Sequence, residues 1–136
     1  MEGSEVELVV YADGASRGNP GPAAAGYAIF VAGRRLEQGA EHLGETTNNM
    51  AEYRAVLLGL RRAAARGRGP VRVRTDSQLV VRQMCGEYRV RSDGLLEVHR
   101  EVREAGRRFA HVTFEHVPRD DPCVRAVHAL LERRLG

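Results

Sequence analysis

The sequence contains no lysine, and all 21 of its basic residues are arginine, so a catalytic lysine is excluded. Cysteine is scarce as well: Cys85 and Cys123 are too few for a disulfide scaffold and lack the paired spacing of a zinc site. No apolar run approaches the roughly 18 residues that a membrane span requires. We therefore expect a cytoplasmic protein in a reducing compartment, without a membrane partner.

The remaining composition is typical of a folded domain of ordinary size. The chain has 136 residues and a mass of 15.0 kDa, and 43% of its residues are hydrophobic while 29% are charged. This balance excludes a disordered chain or a fibrous repeat. We expect a single domain over residues 1–136, with a core from about residue 7 to residue 135. The net charge of +3 permits an anionic partner but does not require one.

Hydrophobic periodicity predicts a mixture of strands and helices. Strands are expected at 7–11, 25–31, 35–40, 71–75 and 112–117, and helices at 49–66, 78–84, 94–108 and about 123–135. The second and third strands are joined by Ala32-Gly33-Arg34, which is short enough for an antiparallel hairpin. The fourth strand is followed directly by a helix, which indicates a parallel βα unit. The expected order is βββαβααβα.

Three carboxylates lie near the boundaries of these predicted elements. Asp13 follows the first strand and precedes Gly14, Asp76 follows the fourth strand, and Glu52 lies near the start of the first helix. Each has an ordinary structural role open to it, namely a turn aspartate, a helix N-cap and a favourable charge near a helix N-terminus, respectively. Taken singly, none of the three identifies a functional site.

Together, these carboxylates point to a metal site. If they converge, such a cluster does not stay fully ionised without cations. Hard divalent cations prefer oxygen ligands, and Mg²⁺ takes only a few protein carboxylates. Two such ions about 4 Å apart can activate a water and stabilise the leaving oxygen in phosphodiester cleavage. No nucleophilic side chain is then required.

The sequence resembles the type I ribonuclease H family through three separate motifs. Residues 11–22 (YADGASRGNPGP) are similar to the family's first-strand motif, residues 46–53 (TTNNMAEY) to its first-helix motif, and residues 75–80 (TDSQLV) to its fourth-strand motif. With the order of strands and helices, the match runs from about Glu7 to Leu135. The probability that all three motifs agree by chance is very small.

The resemblance implies a fold, an activity and a set of site residues. The fold is α/β, ribonuclease H-like, with a mixed five-stranded sheet in the order 3-2-1-4-5 flanked by helices. The activity is hydrolysis of the RNA strand of an RNA/DNA hybrid. The family's metal-binding carboxylates fall on Asp13, Glu52 and Asp76. The residues that match its contacts to the hybrid are Asn19, Asn48, Asn49 and Gln78, whose amides can both donate to and accept from a 2′-hydroxyl.

The sequence departs from the family at the fourth carboxylate, an aspartate on the C-terminal helix. An ungapped alignment from residues 116–119 puts Ala126 at that position. If the loop is two residues longer, His128 takes the position, and Leu130, Leu131 and Leu135 fall on the apolar face of the helix. We prefer His128 as the fourth catalytic and metal-binding residue, because imidazole can ligate a divalent ion whereas alanine cannot.

Two alternatives to this role of His128 stay open. His128 can be a surface histidine on a degraded site, or Asp120 or Asp121 can reach back to the cluster.

A second departure is the short segment between Cys85 and Leu96, where some bacterial relatives insert a basic helix that grips the hybrid. Only Arg89 and Arg91 remain there. The chain therefore resembles the compact branch of the family without the basic protrusion. Its smaller electrostatic footprint implies weaker substrate binding, or recruitment through a partner.

From the sequence we predict a monomeric, metal-dependent endoribonuclease that cleaves the RNA strand of RNA/DNA hybrids with two Mg²⁺ or Mn²⁺ ions. The alternative is a catalytically weak or inactive nucleic-acid-binding module that keeps the fold and has lost the fourth ligand. The enzyme is favoured because the other three carboxylates and the amides are all present.

Overall fold

The computed structural model describes residues 6–136. Within them the chain forms β1 (Leu8–Ser16), β2 (Gly21–Val31), β3 (Arg34–Thr46), α1 (Asn48–Ala64), β4 (Pro70–Thr75), α2 (Gln78–Met84), α3 (Asp93–Gly106), β5 (His111–His116) and α4 (Pro122–Leu135). The order of strands and helices is the one predicted from hydrophobic periodicity.

The strands form a mixed sheet in the order β3-β2-β1-β4-β5, which confirms the predicted architecture. Strand β1 lies in the middle, antiparallel to β2 and parallel to β4. The β2–β3 hairpin turns on Ala32 and Gly33, whose φ angles of 49° and 78° are both positive. Positive φ at both central residues is typical of a two-residue turn that matches the twist of the flanking strands.

The first three strands are longer than predicted. Strand β1 continues past Asp13 to Ser16, β2 begins at Gly21, and β3 reaches Thr46. The added part of β1 is rich in small residues with little strand preference, but these residues pair with Ala23–Gly26 of β2. Strand β3 is an edge strand with mostly exposed side chains, so it lacks the alternation that a half-buried strand shows.

Helices cover both faces of the sheet. Helices α1 and α3 pack over the larger core, in which Val10, Leu57 and Val73 are fully buried. Helix α4 packs on the opposite face against β1, β2 and β3, where Tyr11 and Val127 belong to a second, smaller core. Strand β1 therefore presents alternate side chains to the two helical layers.

Gly14 brings the backbones of β1 and α1 into direct contact. A Cβ atom at this position would lie 2.1 Å from the carbonyl oxygen of Ala51 and 2.6 Å from the backbone nitrogen of Glu52. Only a glycine permits this approach, because any side chain would force the helix away from the strand. As a result, Glu52 lies beside the segment of β1 that carries Asp13.

The apolar face of helix α4 differs from the predicted one. Its buried residues are Val124, Val127 and Leu131, whereas Leu130 and Leu135 are only partly buried. Of the three leucines predicted on this face, only Leu131 is fully buried, because the stripe that faces the sheet follows the i, i+3, i+7 spacing from Val124. Among residues 6–136, no helix has the length and apolar character needed to cross a membrane.

Candidate active site

The three predicted carboxylates line one cleft of about 590 Å³ at the edge between β1, β4 and helices α1 and α4. Asp13 lies within β1 opposite Gly26 of β2, so it is a strand residue and the turn interpretation was wrong. Glu52 lies in the second turn of α1, beyond the first-turn position where it would best favour the helix dipole. Asp76 follows the last residue of β4.

Asp76 is not the cap of helix α2. The hydroxyl of Ser77 accepts a hydrogen bond from the backbone N–H of Val80 at 3.2 Å, so Ser77 is the N-cap residue. The Asp76 side chain lines the cleft instead and is 11% exposed. It forms an ion pair with Arg119, whose Nε lies 3.7 Å from Oδ2 of Asp76. Since the Arg119 side chain is 94% exposed, this contact contributes little to the free energy of unfolding.

Asp13 is buried at the floor of the cleft. Burial raises the pKa of its carboxyl from 3.8 to about 6, and the nearby charge of Asp76 acts in the same direction. A hydrogen bond with His128 opposes the shift of the pKa: Nδ1 lies 2.9 Å from Oδ2. Strand β1 and helix α4 thus supply the two members of this pair.

Glu52 has its pKa raised to about 7, again mainly by burial. The charges of Asp76 and Asp13 add to the shift, whereas the Ser77 hydroxyl and the Asn48 amide oppose it. In the described part of the chain Glu52 forms no salt bridge. The cleft therefore holds carboxylates whose negative charge is poorly compensated by the protein itself, which is the condition under which a cation binds.

His128 lies in the cleft, as the two-residue longer loop predicts. Ala126, the residue of the ungapped alignment, is exposed and does not line the cleft. Asp121 accepts hydrogen bonds from the backbone N–H groups of Cys123 and Val124, at 2.8 and 3.2 Å, and so caps α4. Asp120 is exposed and lies outside the cleft lining.

The four predicted substrate-binding amides lie at the start of helices or in the loop after β1. Asn48 lines the cleft, and its backbone N–H donates to Oδ1 of Asn19 at 3.0 Å. Asn49 and Gln78 are exposed at the N-terminal ends of α1 and α2. These amides lie on the surface around the carboxylates, where a polynucleotide is able to reach them, and their predicted role remains a prediction.

Sequence reasoning missed four charged residues around the cleft: Arg17, Arg119, Arg125 and Glu132. The last three line it, and Arg17 binds Glu132 with Nη2 2.9 Å from Oε1. Glu132 could have been found from its i+4 spacing after His128, which puts both side chains on one face of α4. Arg17 and Arg119 carry no such signal, because they lie in or beside loops.

The carboxylates are close but not preassembled around an ion. Among residues 6–136, no group of three or more His, Cys, Asp or Glu side chains is arranged to hold a metal ion. Like charges repel, so carboxylates without a cation are expected to stay apart. The donor types nevertheless suit a hard divalent cation, since three carboxylates supply oxygen and one imidazole supplies nitrogen.

Comparisons with known proteins identify the family of the chain. The family model described as "Reverse transcriptase-like" matches residues 11–133. The bifunctional protein Rv2228c of Mycobacterium tuberculosis is 38% identical over 116 residues, covering 84% of this chain and 32% of that protein. The ribonuclease HI of Halobacterium salinarum is 40% identical over 110 residues, covering 80% of this chain and 55% of that protein.

Solved structures match over nearly the whole length. The N-terminal RNase H domain of Rv2228c has a TM-score of 0.90 at 34% identity, covering 96% of this chain and 94% of that chain. RNase H1 of Halobacterium salinarum also has a TM-score of 0.90, at 36% identity and with 95% and 97% of the two chains covered. The chain belongs to the ribonuclease H-like family.

Membership of the ribonuclease H-like family agrees with the motif resemblance found in the sequence. A third structure, LC11-RNase H1 in complex with an RNA/DNA hybrid, has a TM-score of 0.84 at 34% identity, covering 95% of this chain and 99% of that chain. This ribonuclease H-like chain spans about a third of Rv2228c and about half of the Halobacterium ribonuclease HI. Residues 85–92, between α2 and α3, contain no helix, in keeping with the compact form.

Proposed function

We propose that this chain is a divalent-metal-dependent endoribonuclease that hydrolyses the RNA strand of RNA/DNA hybrids. The observation that carries the proposal is the convergence of Asp13, Glu52 and Asp76 on one cleft. The three come from separate segments, and the turn role of Asp13 and the capping role of Asp76 do not hold in the structure. Buried carboxylates with so little local compensation are characteristic of functional sites.

The donor set fits Mg²⁺ or Mn²⁺. Asp13, Glu52 and Asp76 would hold two ions, and His128 would complete the set from α4. Bound divalent cations supply an activated water and stabilise the charge on the leaving oxygen of the phosphodiester. Imidazole in place of a fourth carboxylate favours Mn²⁺ more than an all-oxygen site does.

The remaining residues of the cleft have binding and orienting roles in this proposal. Asn19, Asn48, Asn49 and Gln78 would hydrogen-bond the 2′-hydroxyl groups that distinguish RNA from DNA. The exposure of Asn19, Asn49 and Gln78, and the place of Asn48 in the cleft lining, support this role. Arg119, exposed in the loop before α4, can neutralise a phosphate near the carboxylates. The complex of LC11-RNase H1 with an RNA/DNA hybrid supports this class of substrate.

The proposal is tested with a labelled RNA/DNA hybrid, double-stranded DNA and double-stranded RNA, with Mg²⁺, Mn²⁺ or a chelator. We expect cleavage within the RNA strand of the hybrid, absent with chelator. Hybrid binding without cleavage in either metal would instead support an inactive nucleic-acid-binding module. A monomeric state and a cytoplasmic location remain predictions that size-exclusion chromatography with light scattering and cell imaging would test.

A further inference from the structure

Both ring nitrogens of His128 face carboxylates. Nδ1 lies 2.9 Å from Oδ2 of Asp13, and Nε2 lies 3.2 Å from Oε2 of Glu132. His128 and Glu132 are four residues apart on α4 and therefore lie on the same face of the helix. Glu132 also lines the same cleft as the three carboxylates.

Glu132 is itself held in place. Its Oε1 accepts a hydrogen bond from Nη2 of Arg17 at 2.9 Å, so its two carboxylate oxygens bind different partners. Nη1 of the same arginine donates to the backbone carbonyl oxygens of Leu135 and Gly136, each at 3.2 Å. Arg17 therefore ties the end of β1 both to Glu132 and to the end of α4.

The chemistry of imidazole determines which ring nitrogen of His128 can donate a hydrogen bond and which can ligate a metal. A neutral imidazole carries one N–H, so it donates with one nitrogen and accepts, or ligates a metal, with the other. Histidines that ligate metals generally donate the second ring N–H to a carboxylate or a carbonyl, which fixes the tautomer and the orientation of the ring. In this structure Nδ1 hydrogen-bonds the Asp13 carboxylate and therefore carries the ring N–H, while Nε2 lies 3.2 Å from Glu132. A cation beside Asp13 would take the Nδ1 lone pair, so the ring proton would then have to reside on Nε2.

We propose that Glu132 is a positioning residue that, when a cation is bound, accepts the Nε2–H of His128 and so directs the Nδ1 lone pair at the metal site beside Asp13. This inference rests on the proposed function and deepens it, because it explains how a histidine can stand where relatives have an aspartate. Glu132 brings a carboxylate beside the neutral imidazole, while Arg17 binds the other oxygen of that carboxylate. The fourth ligand of this chain is then His128, oriented by a carboxylate one helical turn further along α4.

The first readout is the tautomer of His128, measured by ¹⁵N NMR of the imidazole in ¹⁵N-labelled protein saturated with Mg²⁺, which is diamagnetic. We expect the Nε2–H tautomer in the unaltered chain. Glu132→Ala should give a mixture of tautomers, whereas Glu132→Gln, which keeps an acceptor oxygen, should retain the Nε2–H form. The Nδ1–H tautomer or a persistent imidazolium in the Mg²⁺-saturated protein would overturn the inference.

The second readout is cation affinity by isothermal titration with Mg²⁺ and Mn²⁺. Loss of a carboxylate that orients a ligating histidine typically costs 10- to 100-fold in affinity, so we expect Glu132→Ala to weaken binding about 10-fold. Glu104→Ala on α3 is the matched control, because Glu104 is an exposed helical glutamate that pairs with an arginine away from the cleft, and its affinity should not change. Glu132 and Glu104 are both exposed, so Glu132→Ala and Glu104→Ala should both fold, and circular dichroism checks this.

These readouts separate the two proposals. If the unaltered chain binds cations and shows the Nε2–H tautomer but cleaves no hybrid, the proposed function fails and the positioning role of Glu132 stands. If the chain cleaves hybrid but Glu132→Ala keeps both the tautomer and an affinity within about twofold of the unaltered chain, a change far smaller than such contacts produce, the positioning role fails alone.

Discussion

Asp13 and His128 are 115 residues apart in the chain, yet Oδ2 of the first lies 2.9 Å from Nδ1 of the second. Asp13 lies on the central strand β1, and His128 projects from α4 on the face of the sheet opposite α1. The pair therefore joins the central strand to the C-terminal helix through one hydrogen bond. Changes to this pair and to the side chains around it should alter cation binding and turnover.

Asp13→Asn should lower turnover at least about 10²-fold while binding of the RNA/DNA hybrid is largely kept. The substitution removes the negative charge that would hold cations, but it removes few contacts to the substrate. Electrostatic stabilisation of a transition state is typically worth 10²–10³-fold in rate. Single-turnover cleavage and fluorescence anisotropy with the same hybrid measure the two effects. Asp93→Asn, at an exposed aspartate of α3, is the control. Substantial turnover in Asp13→Asn would contradict the two-metal mechanism.

His128→Ala should lose most of the turnover, and His128→Asp should keep or improve cleavage supported by Mg²⁺. Aspartate recreates an all-oxygen donor set, which suits Mg²⁺, whereas the parent nitrogen ligand shifts the preference toward Mn²⁺. The ratio of cleavage rates in the two metals is the quantity to measure. If His128→Ala cleaves like the parent with both metals, His128 is a surface histidine and not a ligand.

Asn49→Ala and Gln78→Ala should weaken binding to the hybrid more than binding to double-stranded DNA. Each lost hydrogen bond is worth about 1 kcal/mol, so we expect a weakening of about 3- to 10-fold for the hybrid. Competition binding with the two duplexes at one salt concentration gives the comparison. Gln38→Ala, at an exposed amide of β3, should change neither affinity. Equal losses on both duplexes would mean that these amides do not recognise the 2′-hydroxyl.

The carboxylate cluster should make the metal-free protein less stable as pH rises. The pKa of Glu52 is raised to about 7 and that of Asp13 to about 6, so the folded state binds more protons than the unfolded state between about pH 4 and pH 7. The favourable contribution of Glu52 and Asp13 to the free energy of unfolding is fully present below their pKa values in the unfolded chain. It is lost as pH rises through their pKa values in the folded protein. Glu37 has the opposite effect on the pH dependence of stability. The hydrogen bond from Arg62 lowers the pKa of Glu37 to about 2, so its contribution to the free energy of unfolding is lost only in acid.

Glu52→Gln isolates this effect. In chelator, the variant should have a higher free energy of unfolding than the parent at pH 8, by on the order of 2 kcal/mol, and the difference should vanish near pH 4. Urea unfolding at several pH values measures it, with Glu45→Gln on the exposed edge strand as the control. If the difference in unfolding free energy between variant and parent does not depend on pH, burial does not raise the pKa of Glu52.

Gly14→Ala should destabilise the fold by at least about 1–3 kcal/mol, because the added methyl would overlap the carbonyl of Ala51 and one of the two backbones must move. Cation affinity should fall as well, since the same shift would separate Glu52 from Asp13. Thermal unfolding and Mg²⁺ titration measure the two effects. Gly67→Ala is the matched control, because the nearest atom to its added Cβ is a leucine methyl at 3.9 Å.

Sequence patterns predicted the parts of the fold that depend on local periodicity. Helix α2 was predicted at the residues where it lies, and the β2–β3 hairpin was predicted from its short connection, although Arg34 belongs to β3 and the turn has two residues instead of three. The length of β1 beyond Tyr11 was not predictable, because its small residues become a strand only through pairing with β2. The same limit applies to Arg17 and Arg119, whose contacts with Glu132 and Asp76 depend on long-range packing.

The site residues were predictable for a different reason. Asp13, Glu52 and Asp76 each lie within a short motif that resembles the family, so their convergence did not have to be derived from packing. His128 lies in the segment where the resemblance is weakest, and only the register of α4 pointed to it. Glu132 has no counterpart in those motifs, and the structure alone brings it to the His128 ring.

The contact between Gly14 and Ala51 divides the cleft into a rigid half and a compliant half. Asp13 and Glu52 belong to backbones that touch, so the spacing between their segments is set by covalent geometry and a close-packed interface. Asp76 lies in the short connection between β4 and α2, and His128 is a half-exposed side chain on α4. For the proposed metal site, we therefore expect differences in ionic radius among divalent cations to be accommodated by Asp76 and His128, and cation selectivity to be set by these two residues.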